Sequence, residues 1–516
     1  MNYLNTDSPY ILFQDTLNSK IYVDKSLLIE EISSQIRTSN KYICITRPRR
    51  FGKSVNAHML GAYYTKGLDS SWMFERLAVS GTKEYEKHRN KHNVIFIDFS
   101  RMPFGCKNYQ DYINSIYKNL EADMRQEYSL SIDKQYDDIS NMLKDTKESF
   151  IFILDEWDSV FYKNFMTEQD KSDYLYFLKN LLKDQPYVEL AYMTGVLPIA
   201  KYSSGSELNM FDEYNFMNDT VYAAYFGFYE EEVRTLCREY PTLTYEELKY
   251  WYDGYYSYDG KSVFNPRSVV KALTRGVCLN YWTETGPMHE VADCIEHNTD
   301  AVREDIVKMV AGIPVEVDLQ GYSAVELQLN TRDEILSAMV VFGFLSYCDG
   351  YLRIPNRELM EKFQRVLSRD SMGAVKEVVD KSKEMLEATI SCDAEKVAFI
   401  LEEVHDREIP FLQYNDENSL SCVITLCYLY ARKDYYIERE EKSGKGYCDY
   451  MFLPKKEGKT AIILELKVDD TCTNALTQIK EKNYVQRAKE HAKDVLLVGI
   501  SYDKTMKKHS CVIEAV

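Results

Sequence analysis

The apolar run Tyr42-Ile-Cys-Ile-Thr46 passes without a break into Arg47-Pro-Arg-Arg-Phe-Gly-Lys-Ser-Val55. An apolar run this short reads as a strand buried on both faces. A turn ending in Gly52-Lys53-Ser54 then opens a helix, and backbone amides at a helix N-terminus point at an anion. Gly52 lets the backbone approach a phosphate closely, Lys53 reaches β and γ oxygens, and the Ser54 hydroxyl suits Mg²⁺. Arg49, Arg50, Phe51 and Val55 complete the candidate nucleotide-binding residues of the loop. The first glycine of the general pattern G-x-x-x-x-G-K-[ST] is replaced by Arg47. The competing reading is a basic surface turn that happens to spell Gly-Lys-Ser.

A second strand end decides between them. Phe150-Ile-Phe-Ile-Leu-Asp155-Glu156-Trp-Asp158 is another continuously apolar run, and it closes on acids. In α/β folds the C-terminal ends of strands carry the site. Asp155 is placed to hold Mg²⁺, and Glu156, one residue on, to orient and deprotonate an attacking water. A third strand, Leu190-Ala-Tyr-Met-Thr194-Gly195, ends in a hydroxyl. Thr194 reads equally as a sensor of the γ-phosphate and as an ordinary turn residue.

At 516 residues the chain exceeds one core, and two to four domains are expected. With 45% hydrophobic and 28% charged residues it is globular and not disordered. No run of about 18 apolar residues predicts a transmembrane helix. The N-terminal residues lack a basic segment followed by an apolar one, so no secretory signal is expected and the location expected is cytoplasmic. The 12 cysteines contain no Cys-x-x-Cys pair, which favours reduced core thiols, Cys422 and Cys427 among them. A net charge of −18 argues against non-specific coating of nucleic acid, although an enzyme can confine its basic residues to one groove.

Strand patterns at Tyr42–Thr46, Asn93–Phe99, Phe150–Leu154 and Val188–Thr194 alternate with helical ones, which predicts a parallel α/β sheet. From about Tyr225 the pattern is mostly helical. A helix followed by two short strands around Asp349-Gly350 suggests a winged-helix-like module. A charged helical stretch from Arg369 to about Glu403 leads into a final α/β segment.

In that segment Gly446-Tyr-Cys-Asp449-Tyr-Met-Phe-Leu-Pro454 and Thr460-Ala-Ile-Ile-Leu-Glu465-Leu-Lys467-Val468 read as a β-hairpin. A loop centred on Glu457 sets Asp449 opposite Glu465, with side chains roughly 5 Å apart. Glu465 and Lys467 share a face, so two acids and a lysine converge. Facing carboxylates repel unless a cation lies between them, and a divalent metal with hard oxygen ligands meets that need. Lys467 then positions or activates a water at a scissile phosphate. The competing reading is a solvated Glu–Lys pair. The facing acid, the apolar strand and the following helix with Gln478 and Lys480 weigh against it. Upstream, Glu417 is a further candidate acid, or simply a helix N-terminal acid favoured by the dipole.

Arg47-Pro-Arg-Arg-Phe-Gly-Lys-Ser, Tyr22-Val-Asp24-Lys25, Leu154-Asp-Glu-Trp-Asp158, Thr194-Gly-Val-Leu-Pro-Ile-Ala-Lys201 and Trp251-Tyr-Asp-Gly-Tyr255 together resemble the AAA-ATPase-like family of bacterial proteins. In that family a P-loop domain is commonly followed by a PD-(D/E)xK nuclease-like domain. Gly446–Asp449, Glu465-Leu-Lys467 and Gln478-Ile479 resemble this second domain. This chain has Tyr447-Cys448 where members often have Arg-Ala, and Ser421 where they often have histidine.

The resemblance implies an α/β fold of three parts. Residues 1–225 form a P-loop ATPase domain with a parallel sheet. Residues 226–368 form a mostly helical region with the winged-helix-like module, and 369–516 an α/β restriction-endonuclease-like domain. The function implied is ATP binding and hydrolysis, coupled to metal-dependent phosphodiester cleavage, with DNA as partner. Catalytic roles fall to Glu156, Asp449, Glu465 and Lys467. Metal ligation falls to Ser54, Asp155, Asp449 and Glu465, with Mg²⁺ at both sites and Mn²⁺ an alternative at the nuclease site. The rival is a nucleotide-dependent switch whose C-terminal domain binds nucleic acid or a protein without cutting. An arginine completing the ATP site comes from Arg49 or Arg50, or from a neighbouring subunit in a homo-oligomer.

Overall fold

Five strands of the first half, β1 (Tyr42–Thr46), β2 (Asn93–Asp98), β3 (Phe150–Asp155), β4 (Val188–Gly195) and β5 (Asp212–Tyr214), form one parallel sheet in the order β2-β3-β4-β1-β5. The strands are continuously apolar because helices cover both faces. Along β3, Phe150, Phe152 and Leu154 enter one core while Ile151 and Ile153 enter the other. Tyr42 and Cys44 of β1 divide from Ile43 and Ile45 in the same way. In the P-loop helix, Lys53–Tyr64, residues Ala57, Met59 and Leu60 lie in the core of Ile151 and Ile153.

This is a computed structural model; it describes residues 1–130, 134–136, 138–199, 207–282, 300–317, 331–367, 374–405, 417–438, 450–481 and 484–516. The chain divides into two units. One comprises Met1–Gly286, Asp318–Asp349 and Pro355–Glu358, the other Pro287–Val317, Gly350–Ile354 and Leu359–Val516. Within the first unit, helices follow the parallel sheet, and their ends carry the expected caps. Thr244 and Glu247 form a capping box on Tyr245–Tyr252. The Asn265 side chain accepts from the Ser268 amide at the start of Pro266–Arg275. Between the helices lie three short antiparallel strands, β6 (Phe228–Tyr229), β7 (Tyr255–Tyr256) and β8 (Ser262–Phe264), in the order β6-β8-β7. At two or three residues each, they are too short to leave a periodic signal.

In the second unit β9 (Val315–Glu316) is the first strand. After β10 (Ser346–Cys348) of the first unit, Asp349 and Gly350 both take left-handed backbone angles, and β11 (Tyr351–Arg353) follows and pairs antiparallel with β9. The charged stretch resolves into three helices, Ala374–Asp380, Ser382–Ile390 and Ala394–His405. A mixed sheet closes the unit: β12 (Tyr435–Glu438), β13 (Tyr450–Pro454), β14 (Ala461–Val468), β15 (Val495–Asp503) and β16 (Lys508–Ala515), in sequential order. Only β14 and β15 run parallel, joined by the helices Cys472–Glu481 and Tyr484–Lys489. Cys422 and Cys427 are buried on the apolar helix Glu417–Cys427, as core residues. Among the described residues no helix is long and apolar enough to cross a membrane.

Candidate functional site

The loop after β1 is shaped by residues that turn inward. Arg47, at the position of the missing glycine, is 2% exposed. Its guanidinium donates to the carbonyls of Thr46 (2.8 Å) and Tyr214 (2.9 Å), pairs with buried Asp219, and lies 4.9 Å from the Phe226 ring centre. Asp219 in turn accepts the amides of Val221 and Tyr222. Arg47 thus anchors the base of the loop to the segment after β5. Phe51 is fully buried against Phe216 and Tyr255, and its carbonyl accepts the Gly227 amide at 3.1 Å. Its side chain is core, and only its backbone is left to meet a ligand. Arg50 donates to the carbonyls of Tyr281 (3.0 Å) and Trp282 (3.1 Å), and Arg49 lies 6.0 Å from the Tyr162 ring centre. Val55 is partly exposed on the first helical turn.

The candidate phosphate-cradle residues remain. Gly52 has φ 94°, a left-handed angle costly for other residues, and it caps the helix that begins at Lys53. The Lys53 ammonium sits within the loop, 3.1 Å from the Arg47 carbonyl, 3.3 Å from that of Pro48, and 3.9 Å from Glu156 Oε1.

Opposite the loop, register aligns a polar row. Asp98 pairs with Asp155, and Leu154 with Met193, so Asp98, Asp155 and Thr194 stand on neighbouring strands. Alternation with Ile153 and Tyr192 puts Asp155 and Thr194 on the sheet face covered by the P-loop helix. The Ser54 hydroxyl lies beside the Asp155 carboxyl and favours its charged form. Burial pushes that carboxyl up to about 7, with Glu156 and Asp98 adding to the effect while Ser54 and Lys53 oppose it. A buried acid whose charge is this costly, beside a hydroxyl, is a donor set that fits a hard divalent cation. Glu156 follows at φ 53°, a strained angle for a glutamate, with its amide donating to Asp155 Oδ1 at 3.1 Å.

Thr194 is fully buried, and its Oγ1 has no hydrogen-bond partner among the described residues. The strand ends are also locked to each other. Asp158, pushed up to about 6 by burial and next by Glu156, accepts the amides of Val196 and Leu197. A Cβ at Gly195 would lie 2.4 Å from Trp157 Cδ1 and 2.5 Å from Asp158 Oδ1. Sequence reasoning missed the roles of Asp98 and Asp158. Their positions at acidic strand ends were the available signal.

The C-terminal hairpin has the register expected about Glu457. Tyr450 faces Leu464, Met451 faces Ile463, and Phe452 faces Ile462. Asp449 itself lies outside the described residues, as do Gly446, Tyr447 and Cys448. Glu465 is 2% exposed, and its Oε1 accepts from Lys467 Nζ at 3.2 Å and from the Gln478 side-chain amide. Lys467 also donates to Gln478 Oε1 at 2.7 Å. Gln478 reaches the strand because its helix crosses β15 at Gly499, the register partner of Glu465. A Cβ there would lie 2.3 Å from the Cys472 carbonyl oxygen. Lys480 pairs instead with Glu514 at 2.5 Å. Ser421 and Thr425 hydrogen-bond the Tyr450 hydroxyl. Glu417 opens its helix, and its side chain lies outside the described residues. Among the described residues no group of three or more His, Cys, Asp or Glu is arranged to hold a metal. Glu465 offers one hard oxygen donor there.

Two family models match parts of the chain. Residues 14–204 match the family described as "Predicted AAA-ATPase", and residues 415–511 match the "PD-(D/E)XK nuclease superfamily". The chain joins an AAA-ATPase-like domain to a PD-(D/E)XK nuclease superfamily domain. A relative described as an uncharacterized protein in the vnfD 5′ region of Azotobacter chroococcum mcd 1 is 21% identical over 532 residues, spanning 94% of this chain and 93% of its own length. Among solved structures, the Walker-type ATPase PABY2304 of Pyrococcus abyssi is similar at TM-score 0.37 and 14% identity, over 66% of this chain and 94% of that one. The Aeropyrum pernix ORC2 protein is similar at TM-score 0.33 and 11% identity, over 68% of this chain and 96% of that one.

Proposed function

We propose that this protein binds and hydrolyses ATP at the end of β1, and that its C-terminal domain cleaves phosphodiester bonds of DNA with a divalent metal. The observation that carries the reading is the meeting of Lys53, Ser54, Asp155 and Glu156 at one sheet edge. In this reading Lys53 and the loop amides after Gly52 grip the phosphates, and Thr194 offers its hydroxyl toward the terminal one. Ser54 and Asp155 would hold Mg²⁺, which supplies positive charge to the phosphate oxygens. Glu156 orients water and accepts its proton. At the second site Glu465 and Asp449 would hold Mg²⁺ or Mn²⁺, supplying charge at the scissile phosphate, and Lys467 positions the water. The division into regions 1–225, 226–368 and 369–516, a cytoplasmic setting, and an arginine completing the ATP site, from this chain or from a neighbouring subunit, belong to the same proposal.

Purified protein should hydrolyse ATP with Mg²⁺. Lys53→Ala should lose nucleotide binding. Glu156→Gln should bind ATP but turn it over about 10²- to 10⁴-fold more slowly. Hydrolysis unchanged in both variants would remove the ATP site from the account.

One observation favours a second reading, a nucleotide-dependent switch whose C-terminal domain binds nucleic acid or a protein partner without cutting. The net charge of −18 opposes broad contact with a nucleic-acid backbone. Under that reading Glu465→Gln leaves every activity of the protein intact.

A further inference from the structure

Glu358 lies about three hundred residues from the ATP loop in sequence, yet it belongs to the same unit. It is 1% exposed. Its Oε1 accepts the backbone amides of Tyr281 (2.5 Å) and Trp282 (2.7 Å), and Ser268 Oγ donates to Oε2 at 2.9 Å. The Asn280 side chain donates to the Glu358 carbonyl at 2.9 Å. A buried carboxylate satisfied this fully is held in one place. The carbonyls of Tyr281 and Trp282 are the groups that accept from Arg50. These two residues therefore carry a carboxylate on their amides and a guanidinium on their carbonyls, an arrangement in which each hydrogen bond polarises the next.

Arg50 has φ 73°, a left-handed angle that an arginine adopts only when its surroundings impose it. The rest of the loop is braced nearby. Pro48 packs on Gly343, where a Cβ would lie 2.6 Å from the Pro48 ring and 3.6 Å from Trp282. Tyr255, 5.0 Å from Phe51 between ring centres, donates its hydroxyl to the Gly343 carbonyl at 2.8 Å.

We propose that Glu358 is a positioning residue for the ATP loop, acting through the backbone of Tyr281 and Trp282 on Arg50, which holds residues 48–52 in the shape that presents Gly52 and Lys53. Arg50 works on the protein's own carbonyls and not on the phosphates. The inference rests on the ATP site proposed above.

The test uses the full chain and ATP with Mg²⁺, measuring KM and kcat separately, with thermal unfolding to show that each variant is folded. Glu358→Ala and Arg50→Ala should each raise KM about tenfold with kcat changed far less, and the double variant should be no worse than either alone. Glu358→Gln, whose amide oxygen still accepts both backbone amides, should return KM to within about threefold of the native value. Where Glu358→Ala does not fold, Arg50→Ala and Glu358→Gln carry the test. Additive effects overturn the proposal, and so does a native KM in Arg50→Ala. A KM in Glu358→Gln raised as far as in Arg50→Ala also overturns it. Lys53→Ala separates this from the site itself. If that variant binds ATP normally, the ATP-site reading fails. If it abolishes binding while Glu358 and Arg50 substitutions change nothing, only the positioning role fails.

Discussion

Arg47→Gly would restore the general loop pattern while removing the guanidinium that bonds Thr46, Tyr214 and Asp219. Asp219 would be left buried without its cation, with only the amides of Val221 and Tyr222 against its charge. Such a loss costs on the order of 3–5 kcal/mol, so chemical denaturation should show a large fall in stability and no gain in nucleotide affinity. An unchanged midpoint would contradict the anchoring role. Glu358 makes a second prediction at this scale. Burial pushes its carboxyl up to about 7, above the ordinary value of about 4.3. Between those values the folded state holds a proton that the unfolded state has released. The stability from this group is therefore full below about pH 4 and lost as pH rises through about 7. Glu358→Gln lacks that slope. Relative to the native protein it should gain on the order of 2 kcal/mol between pH 5 and pH 8, read by denaturant titration. Parallel profiles for the two proteins would contradict it. Residue roles of this kind were hard to read from sequence. Phe51 looked like part of a ligand site because it sits in the motif, and Arg47 like a departure from that motif; only tertiary packing turns both inward. Glu358 gave no signal at all, since its partners are backbone amides and a serine 76 to 90 positions away.

At the level of elements, the strands around the ATP site were legible because burial on both faces makes them continuously apolar. β1 and β3 began where expected, and β3 and β4 each ran one residue further. The hairpin register was legible too, because two apolar strands joined by a short loop leave little choice. The short strands β6 to β8 were not, since pairing defines them and not pattern. The approach of the helix Cys472–Glu481 to the sheet was equally hidden, because it depends on the bare backbone of Gly499. Gly499→Val should push that helix away, separate Gln478 from Glu465, and destabilise the C-terminal domain by roughly 1–3 kcal/mol. Hydrogen exchange on β14 and β15 should rise, while ATP hydrolysis, read on the same protein, should persist. Unaltered exchange would contradict the packing argument.

For the molecule as a whole, the 42 tyrosines acquire a physical account that the count alone lacked. Tyr42, Tyr63, Tyr112, Tyr174, Tyr187 and Tyr255 are buried, each with its hydroxyl donated to a backbone carbonyl, so the rings fill the core while the oxygens satisfy chain ends and loops. The two units hold one chemistry each, the proposed ATP site in the first and an acid–lysine–amide cluster in the second. Their combination in one chain is what the proposed function explains. Strand cleavage tests it most directly. Full-length protein is incubated with supercoiled plasmid DNA and Mg²⁺ or Mn²⁺, with and without ATP. The account predicts metal-dependent nicking that Glu465→Gln and Lys467→Ala abolish without loss of ATP hydrolysis, and that Lys53→Ala alters. DNA left intact under every condition, or cut equally by Glu465→Gln, would contradict it.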